Sequence, residues 1–239
     1  MTLQIFDVHA GYGDLLVVRG VSLSVAAGEI VALLGHNGVG KTTLLRAIMG
    51  LICPMSGDVA FAGRSLLGLE PHAVAAEGIA YIPQDAALFP DLTVAQNLHV
   101  AFRARAGFEA ACDRALAPFP FLRERFRQRA GTLSGGEQKM LLVARALLVA
   151  PKLILADEVT EGVQPMQVDR ISDTLRTLNT TARTSVLLVE QNVAFAIDLA
   201  SRFLVMKQGT IAATGDATVP AVQAEIERQL ASALLSPHN

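Results

Sequence analysis

Four short apolar runs, at residues 30–34, 79–82, 153–156 and 186–189, recur along the chain with helix-compatible stretches between them. Runs this short, closed by glycine or polar residues, suit strands buried on both faces of a parallel sheet. The intervals are long enough for crossover helices, which predicts an α/β core. Residues 1–30 and 58–63 instead alternate apolar with polar positions and carry glycine turns, as a small antiparallel sheet does. Between about residues 94 and 150 the strand signal gives way to a helical one, predicting an inserted helical subdomain. Residues 203–206 and 210–213, separated by Lys207-Gln208-Gly209, predict a closing hairpin, followed from about residue 217 by a C-terminal tail. No low-complexity linker and no internal repeat divides residues 1–239, so the chain is read as one domain.

The hydrophobic fraction is 51% and the mean hydropathy +0.41, values that raise the question of a membrane span. A spanning helix needs about 20 consecutive apolar residues. The richest stretch, residues 140–150, is shorter and carries Arg145, and no charged-then-apolar leader opens the chain. The expectation is a soluble, cytosolic chain that reaches a membrane only through a partner. Cys53 and Cys112 are too few and too isolated for a disulfide framework or a zinc site. A net charge of −2 argues against a nucleic-acid partner. The basic run Arg123, Arg125, Arg127 and Arg129 is interleaved with Glu124 and aromatic residues and reads as a solvated helix face.

Three motifs carry chemistry. Gly35-His36-Asn37-Gly38-Val39-Gly40-Lys41-Thr42 matches G-x-x-x-x-G-K-[ST], the Walker A phosphate loop, and sits between an apolar strand and a helix running to about Met49. Its glycines let backbone N–H groups curl around phosphate oxygens, Lys41 would neutralise the β- and γ-phosphates of ATP, and Thr42 would ligate Mg²⁺. The run 153–156 ends in Asp157-Glu158: Asp157 fits the Walker B role beside Mg²⁺, and Glu158 could polarise the attacking water. Leu133-Ser134-Gly135-Gly136-Glu137-Gln138 is minimally a capping box opening a helix. Two glycines in a first turn are costly for capping alone, and they make sense where a phosphate must approach the backbone.

With that last motif the chain resembles the ABC (ATP-binding cassette) ATPases, whose signature is LSGGEQ, over essentially its whole length. The resemblance implies a P-loop core with a parallel sheet, a small antiparallel β subdomain and an inserted helical subdomain. It also implies head-to-tail pairing of two ATPase subunits, identical or related, so that Ser134 and Gly136 cap a γ-phosphate held by the other subunit. Residue by residue, Tyr12 resembles the aromatic that stacks on adenine, and Thr43 the residue that touches the α-phosphate. Gln84 resembles the Q-loop glutamine that contacts Mg²⁺ and leads toward the membrane partner. Residues 160–164 follow Glu158 as a D-loop does, although Val159 stands where the family usually has proline.

At the position of the switch histidine this chain has Gln191. Glutamine can still donate to a γ-phosphate but carries no titrating proton. The Gln191-Asn192 pair, Phe119-Pro120-Phe121-Leu122, Arg129-Ala130-Gly131 and Glu161-Gly162 resemble importers of branched-chain amino acids, with urea and short-amide importers as relatives. The implied assembly is two ATPase subunits on two membrane-spanning permease subunits at the cytoplasmic face of the cell membrane, served by an extracytoplasmic solute-binding protein. Leu88, Phe89 and Leu92, in the segment 85–97, are the candidate contact with the permease, or else they pack the junction to the helical subdomain. The competing readings are a soluble ABC ATPase of the translation or DNA-repair type, and a P-loop GTPase. The first usually carries two cassettes or a coiled-coil insertion; the second needs N-K-x-D, which is missing.

Overall fold

Alternate residues of the central strands face two different cores, and this sets the layering of the molecule. The computed structural model describes residues 2–84, 87–102, 104, 106–219 and 222–234. The chain opens with the antiparallel pair β1 (Leu3–Tyr12) and β2 (Leu15–Val25), then the central strand β3 (Ile30–Leu34) and helix α1 (Lys41–Ile48). Strands β4 (Ser56–Phe61) and β5 (Arg64–Ser65) complete a four-stranded sheet of order β2-β1-β4-β5. A short helix α2 (Pro71–Ala76) leads into β6 (Ile79–Ile82). Helices α3 (Val94–Ala101), α4 (Phe108–Leu116), α5 (Phe121–Glu124) and α6 (Gly135–Leu147) follow in succession. Alternation resumes with β7 (Leu153–Asp157), α7 (Pro165–Ala182), β8 (Ser185–Glu190) and α8 (Val193–Leu199). The hairpin β9 (Arg202–Lys207) and β10 (Thr210–Asp216) and the helix α9 (Val222–Leu234) close the chain. The predicted tail thus contains a helix; residues 220–221 and 235–239 lie outside the described residues.

The second sheet has the order β10-β9-β3-β8-β7-β6, with every neighbouring pair parallel except the terminal hairpin. Ala32, Leu34, Ile154, Ala156, Val186 and Leu188 turn toward α6 and the other helices, meeting Met140, Leu141, Val143 and Ala144. Val31, Leu33, Leu153, Leu155, Leu187 and Val189 turn the other way, onto α1 and the antiparallel sheet, meeting Leu3, Val8, Leu44 and Ile48. A strand covered on both faces needs apolar residues at consecutive positions, which is why these runs lack alternation. The register pairs Leu34 with Glu190, Val189 with Asp157 and Ala156 with Ile82, so four strand ends finish side by side. In open α/β sheets the carboxyl ends of the strands are where ligands bind. Among the described residues no helix is long and apolar enough to cross a membrane.

The link from β6 to α3 is held by one buried amide. Asn97 is fully buried; its Oδ1 accepts from the Phe89 amide at 2.9 Å, and its Nδ2 donates to the carbonyls of Phe89, Leu92 and Thr93 at 2.9, 3.2 and 3.1 Å. Helix α3 itself starts on a Thr93/Gln96 capping box. Within the candidate permease contact, Asp85 and Ala86 lie outside the described residues; Leu88 packs partly against the helix-side core, whereas Phe89 is half exposed. The Phe89, Leu92 and Thr93 carbonyls each also accept a backbone N–H, so removing the Asn97 amide would leave the Phe89 N–H without its acceptor, at a cost of about 1–3 kcal/mol. Asn97→Leu is therefore expected to lower unfolding stability by about 1–3 kcal/mol in a urea titration. A variant within 0.5 kcal/mol of the wild type, in round figures, would show that the loop holds itself.

Candidate functional site

The phosphate loop joins the end of β3 to the start of α1. Gly40 occupies the N-cap of α1 at φ 109° with no side-chain cap, so the first N–H groups of that helix are left for another acceptor. Lys41 does not extend into solvent. Its Nζ donates back to the carbonyls of Gly35 and His36 at 2.7 and 2.9 Å and pairs with Glu158 Oε1 at 3.1 Å, with both side chains 3% exposed. The loop is thus curled around its own lysine.

Glu158 is the centre of the cluster. Gln84 Nε2 donates to its Oε2 at 2.9 Å, and Gln191 Nε2 donates to the same oxygen at 3.0 Å. Gln84 also donates to Glu161 Oε2 at 2.7 Å, and Gln191 to Asn37 Oδ1 at 2.7 Å. The carboxylate therefore has three partners, from the first residue of α1, the segment after β6 and the end of β8. Glu158 itself adopts φ 47°, a left-handed conformation rarely taken by a residue with a side chain. Such strain persists where surrounding contacts over-determine it, and it concentrates at functional sites.

Asp157, fully buried one residue earlier, is held by two hydroxyls: Thr42 Oγ1 donates to Oδ1 at 3.2 Å and Tyr81 Oη to Oδ2 at 3.0 Å. Burial raises its pKa, partly offset by those hydrogen bonds. The Tyr81 phenol is pushed well above its ordinary range by burial and by the adjacent carboxylate. Glu190 is a second buried acid, 2% exposed, at the end of β8 beside Gln191. It accepts from the Thr160 amide at 3.1 Å and the Thr160 hydroxyl at 2.9 Å, which ties the segment after Glu158 to the end of β8. Burial lifts its pKa to about 7, against the lowering effect of the Thr160 bonds.

The other predicted positions are placed as follows. Tyr12 closes β1 with its ring partly exposed, and its hydroxyl accepts from Arg46 Nη1 at 3.0 Å. Thr43 is buried in the first turn of α1. His36 Nε2 lies 3.1 Å from the Leu230 carbonyl of α9. Gly38 and Val39 lie in the loop, Gly38 at φ 80° with open space where a side chain would stand. The predicted capping box forms: Ser134 Oγ accepts from the Glu137 amide and Glu137 Oε2 accepts from the Ser134 amide. Gly136 is buried against the amide of Gln167, whose Oε1 would lie 1.8 Å from an added Cβ. Among the described residues no hydrogen bond links Ser134 or Gly136 to the phosphate loop, so one chain does not bring the two motifs into contact. In the basic run, Arg123 pairs with Glu109 and Asp113, and Arg125 pairs with the capping-box Glu137.

Sequence reasoning missed Tyr81 and Glu190 as members of this cluster. Tyr81 stood inside an apolar run, and a lone hydroxyl there was the available signal. Glu190 directly precedes Gln191 and could have been noticed as an acid closing a buried strand.

A glycine-rich loop at the end of β3, facing the Asp157-Glu158 step that closes β7 across the intervening β8 of a parallel sheet, defines a P-loop nucleotide hydrolase. Residues 18–161 match the family described as ABC transporter. The chain is 40% identical over 209 residues to the high-affinity branched-chain amino acid transport ATP-binding protein of Pseudomonas aeruginosa, covering 86% of this chain and 89% of that one. It is also 36% identical to the lipopolysaccharide export ATP-binding protein of Escherichia coli K12, covering 91% of each chain. In structure it superposes with a TM-score of 0.82, at 23% identity, on a dimeric ATP-binding cassette in a post-hydrolysis state bound to ADP and phosphate, covering 91% of this chain and 99% of that one. The chain belongs to the ABC transporter family, as an ATP-binding subunit that hydrolyses ATP.

The raised pKa of Glu190 has a thermodynamic consequence. Between an unfolded value of 4.5 and a folded value of about 7, the native state binds the extra proton, so stability falls as pH rises through that window. Above it the folded protein carries a cost of about 3 kcal/mol from this group. Glu190→Gln, which can keep both contacts with Thr160, is expected to match the wild type near pH 5 and to exceed it in unfolding free energy at pH 8. Thermal or urea unfolding across that range checks it; parallel pH profiles for the two proteins would refute it.

Proposed function

We propose that this chain binds ATP and Mg²⁺ at the phosphate loop and hydrolyses ATP as one of two ATPase subunits driving a permease that imports branched-chain amino acids. The observation that carries the catalytic reading is the sharing of one carboxylate, Glu158, by Lys41, Gln84 and Gln191. Each of these three donors is also suited to a phosphate oxygen. A γ-phosphate entering the loop competes for Lys41 and Gln191, and the oxygens of Glu158 they release become available to a water molecule. Glu158 then takes a proton from that water as its oxygen attacks the γ-phosphorus, and the bond to the β–γ bridging oxygen breaks to give ADP and phosphate.

Thr42 and Asp157 fit a divalent cation. Their oxygens are 3.2 Å apart, and burial leaves the Asp157 carboxylate in want of positive charge. Among the described residues no group of three acidic, His or Cys side chains could cage a metal, so phosphate oxygens and water would supply the remaining ligands, with Gln84 beside them. That is the habit of Mg²⁺. When bound, the ion neutralises charge on the β- and γ-phosphates. Tyr12 offers a partly exposed ring for adenine, Thr43 lies in the first turn near the α-phosphate, and Gly35 to Gly40 supply backbone donors. Ser134 and Gly136, remote from the loop in their own chain, act on the γ-phosphate of a second subunit.

A groove of about 330 Å³ beside β6, lined by Met49, Ala75, Tyr81, Pro83, Ala87, Val100 and Arg145, supports docking of a short permease helix at the cytoplasmic face of the membrane. Arg145 of that lining stands over the ring of the half-exposed Phe89 at 5.9 Å, whereas Leu88 belongs to the packing against the helix-side core. The choice of solute rests on greater identity to the amino acid transport relative than to the lipopolysaccharide export relative. A solute-binding protein selects the solute outside this chain, with urea or a short amide as the alternative.

In the assembled complex, Glu158→Gln is expected to keep ATP binding and to lose turnover by on the order of a hundredfold or more. Gln191→Ala should slow turnover and Gln191→His should be tolerated; near-normal steady-state ATPase in Glu158→Gln would defeat the catalytic assignment. Calorimetry of the partner solute-binding protein should give tight binding of leucine or valine. Tight binding of urea with no response to leucine would reassign the solute.

A further inference from the structure

The apolar face of α6 is read from Met140, Leu141, Val143, Ala144, Leu147 and Leu148, a set that leaves Lys139 among the polar positions. The structure buries Lys139 instead, to 7% exposure. Its Nζ donates to the carbonyl of Gln84 at 2.7 Å and reaches the carbonyl of Glu158 at 3.4 Å. One ammonium three residues beyond Gly136 thus reaches the backbone of Glu158 and of Gln84, one of the three donors to its carboxylate. Burying a lysine is costly unless its charge is satisfied. Met140, Leu142 and Val143 beside it on α6 are apolar and buried, so an apolar residue of similar length would pack at this depth without that cost.

The second contact matters for conformation. Glu158 is held at φ 47°, with its own amide donating to the Val189 carbonyl at 2.9 Å. Lys139 approaches the carbonyl of the same residue, so the left-handed residue is gripped at both of its peptide groups. The Gln84 carbonyl is fixed by the same cation, which sets where the Gln84 side chain begins.

We propose that Lys139 is a positioning residue that ties the signature helix to Gln84 and Glu158 of its own subunit. Engagement of Ser134 and Gly136 by the nucleotide of the second subunit then sets the backbone from which Gln84 and Glu158 reach their own nucleotide. The inference rests on the reading of Glu158 as catalytic and of the signature as acting in trans.

Lys139→Met keeps the length of the side chain and removes the cation. In the assembled complex it is expected to lower kcat by about tenfold, as a small misplacement of catalytic groups does, while KM for ATP moves by less than about twofold. The phosphate loop is untouched, so ATP binding by the isolated subunit should persist. Lys139→Arg, which retains the cation, should recover kcat to within about threefold of the wild type. Full kcat in Lys139→Met overturns the assignment. So does equal impairment of the Met and Arg variants accompanied by a lowered Tm or lost ATP binding, which would mark Lys139 as packing only. Glu158→Gln measured alongside separates the two levels. Its loss of turnover beside an active Lys139→Met rejects Lys139 alone, whereas its retention of turnover rejects the catalytic reading on which Lys139 depends.

Discussion

The buried ion pair between Lys41 and Glu158 is the contact on which the site depends. Both side chains are 3% exposed and their charged atoms are 3.1 Å apart. Either charge alone at this depth would carry a penalty of several kcal/mol. The pair is tolerated because each partner is further satisfied, Lys41 by two carbonyls of its own loop and Glu158 by two glutamine amides. The four groups come from four places in the chain, and only the parallel register of β3, β8, β7 and β6 brings them to one edge. The site is consequently a property of the sheet, and the loop and helices dress it.

Much of this was legible because its chemistry is local. The phosphate loop, the Asp157-Glu158 step and the Ser134/Glu137 capping box each lie within a few residues, and spacing alone carries their meaning. The buried strands were equally plain, since a double-faced strand leaves a run of Val, Ile and Leu that little else imitates. What stayed hidden has partners far along the chain. The Tyr81 hydroxyl meets an acid 76 residues later, Glu190 meets Thr160 across 30 residues, and Lys139 meets Gln84 across 55. Asn97 was hidden for another reason: its four bonds go to nearby backbone, and a single asparagine in a helical pattern gives no sign that it faces inward. The glutamine at position 191 was readable as a group that does not titrate. Its neighbour Glu190 does titrate near neutrality, an effect that needs burial and so appears only in three dimensions.

Helix α6 has a double attachment that explains its place in the architecture. Its first turn presents Ser134 and Gly136, with Glu137 paired to Arg125 of the helical insertion. Its middle packs against β6 and the helix-side core, with Met140, Leu141 and Val143 buried there. The core packing of its middle and the Glu137–Arg125 pair at its start hold the Ser134–Gly136 turn at a fixed place relative to the central sheet.

The opposed facing of alternate strand residues has one further consequence. Neighbouring residues on β8 belong to separate cores, Leu188 to one and Val189 to the other, immediately before Glu190 and Gln191. A slip of one residue would exchange the two sets of side chains and shift the strand end by about 3.3 Å. That displacement exceeds the 3.0 Å between Gln191 and Glu158. The two hydrophobic layers therefore work as an alignment gauge: the same packing that rejects a misregistered strand also bounds the positional error of its polar tip to less than one residue step.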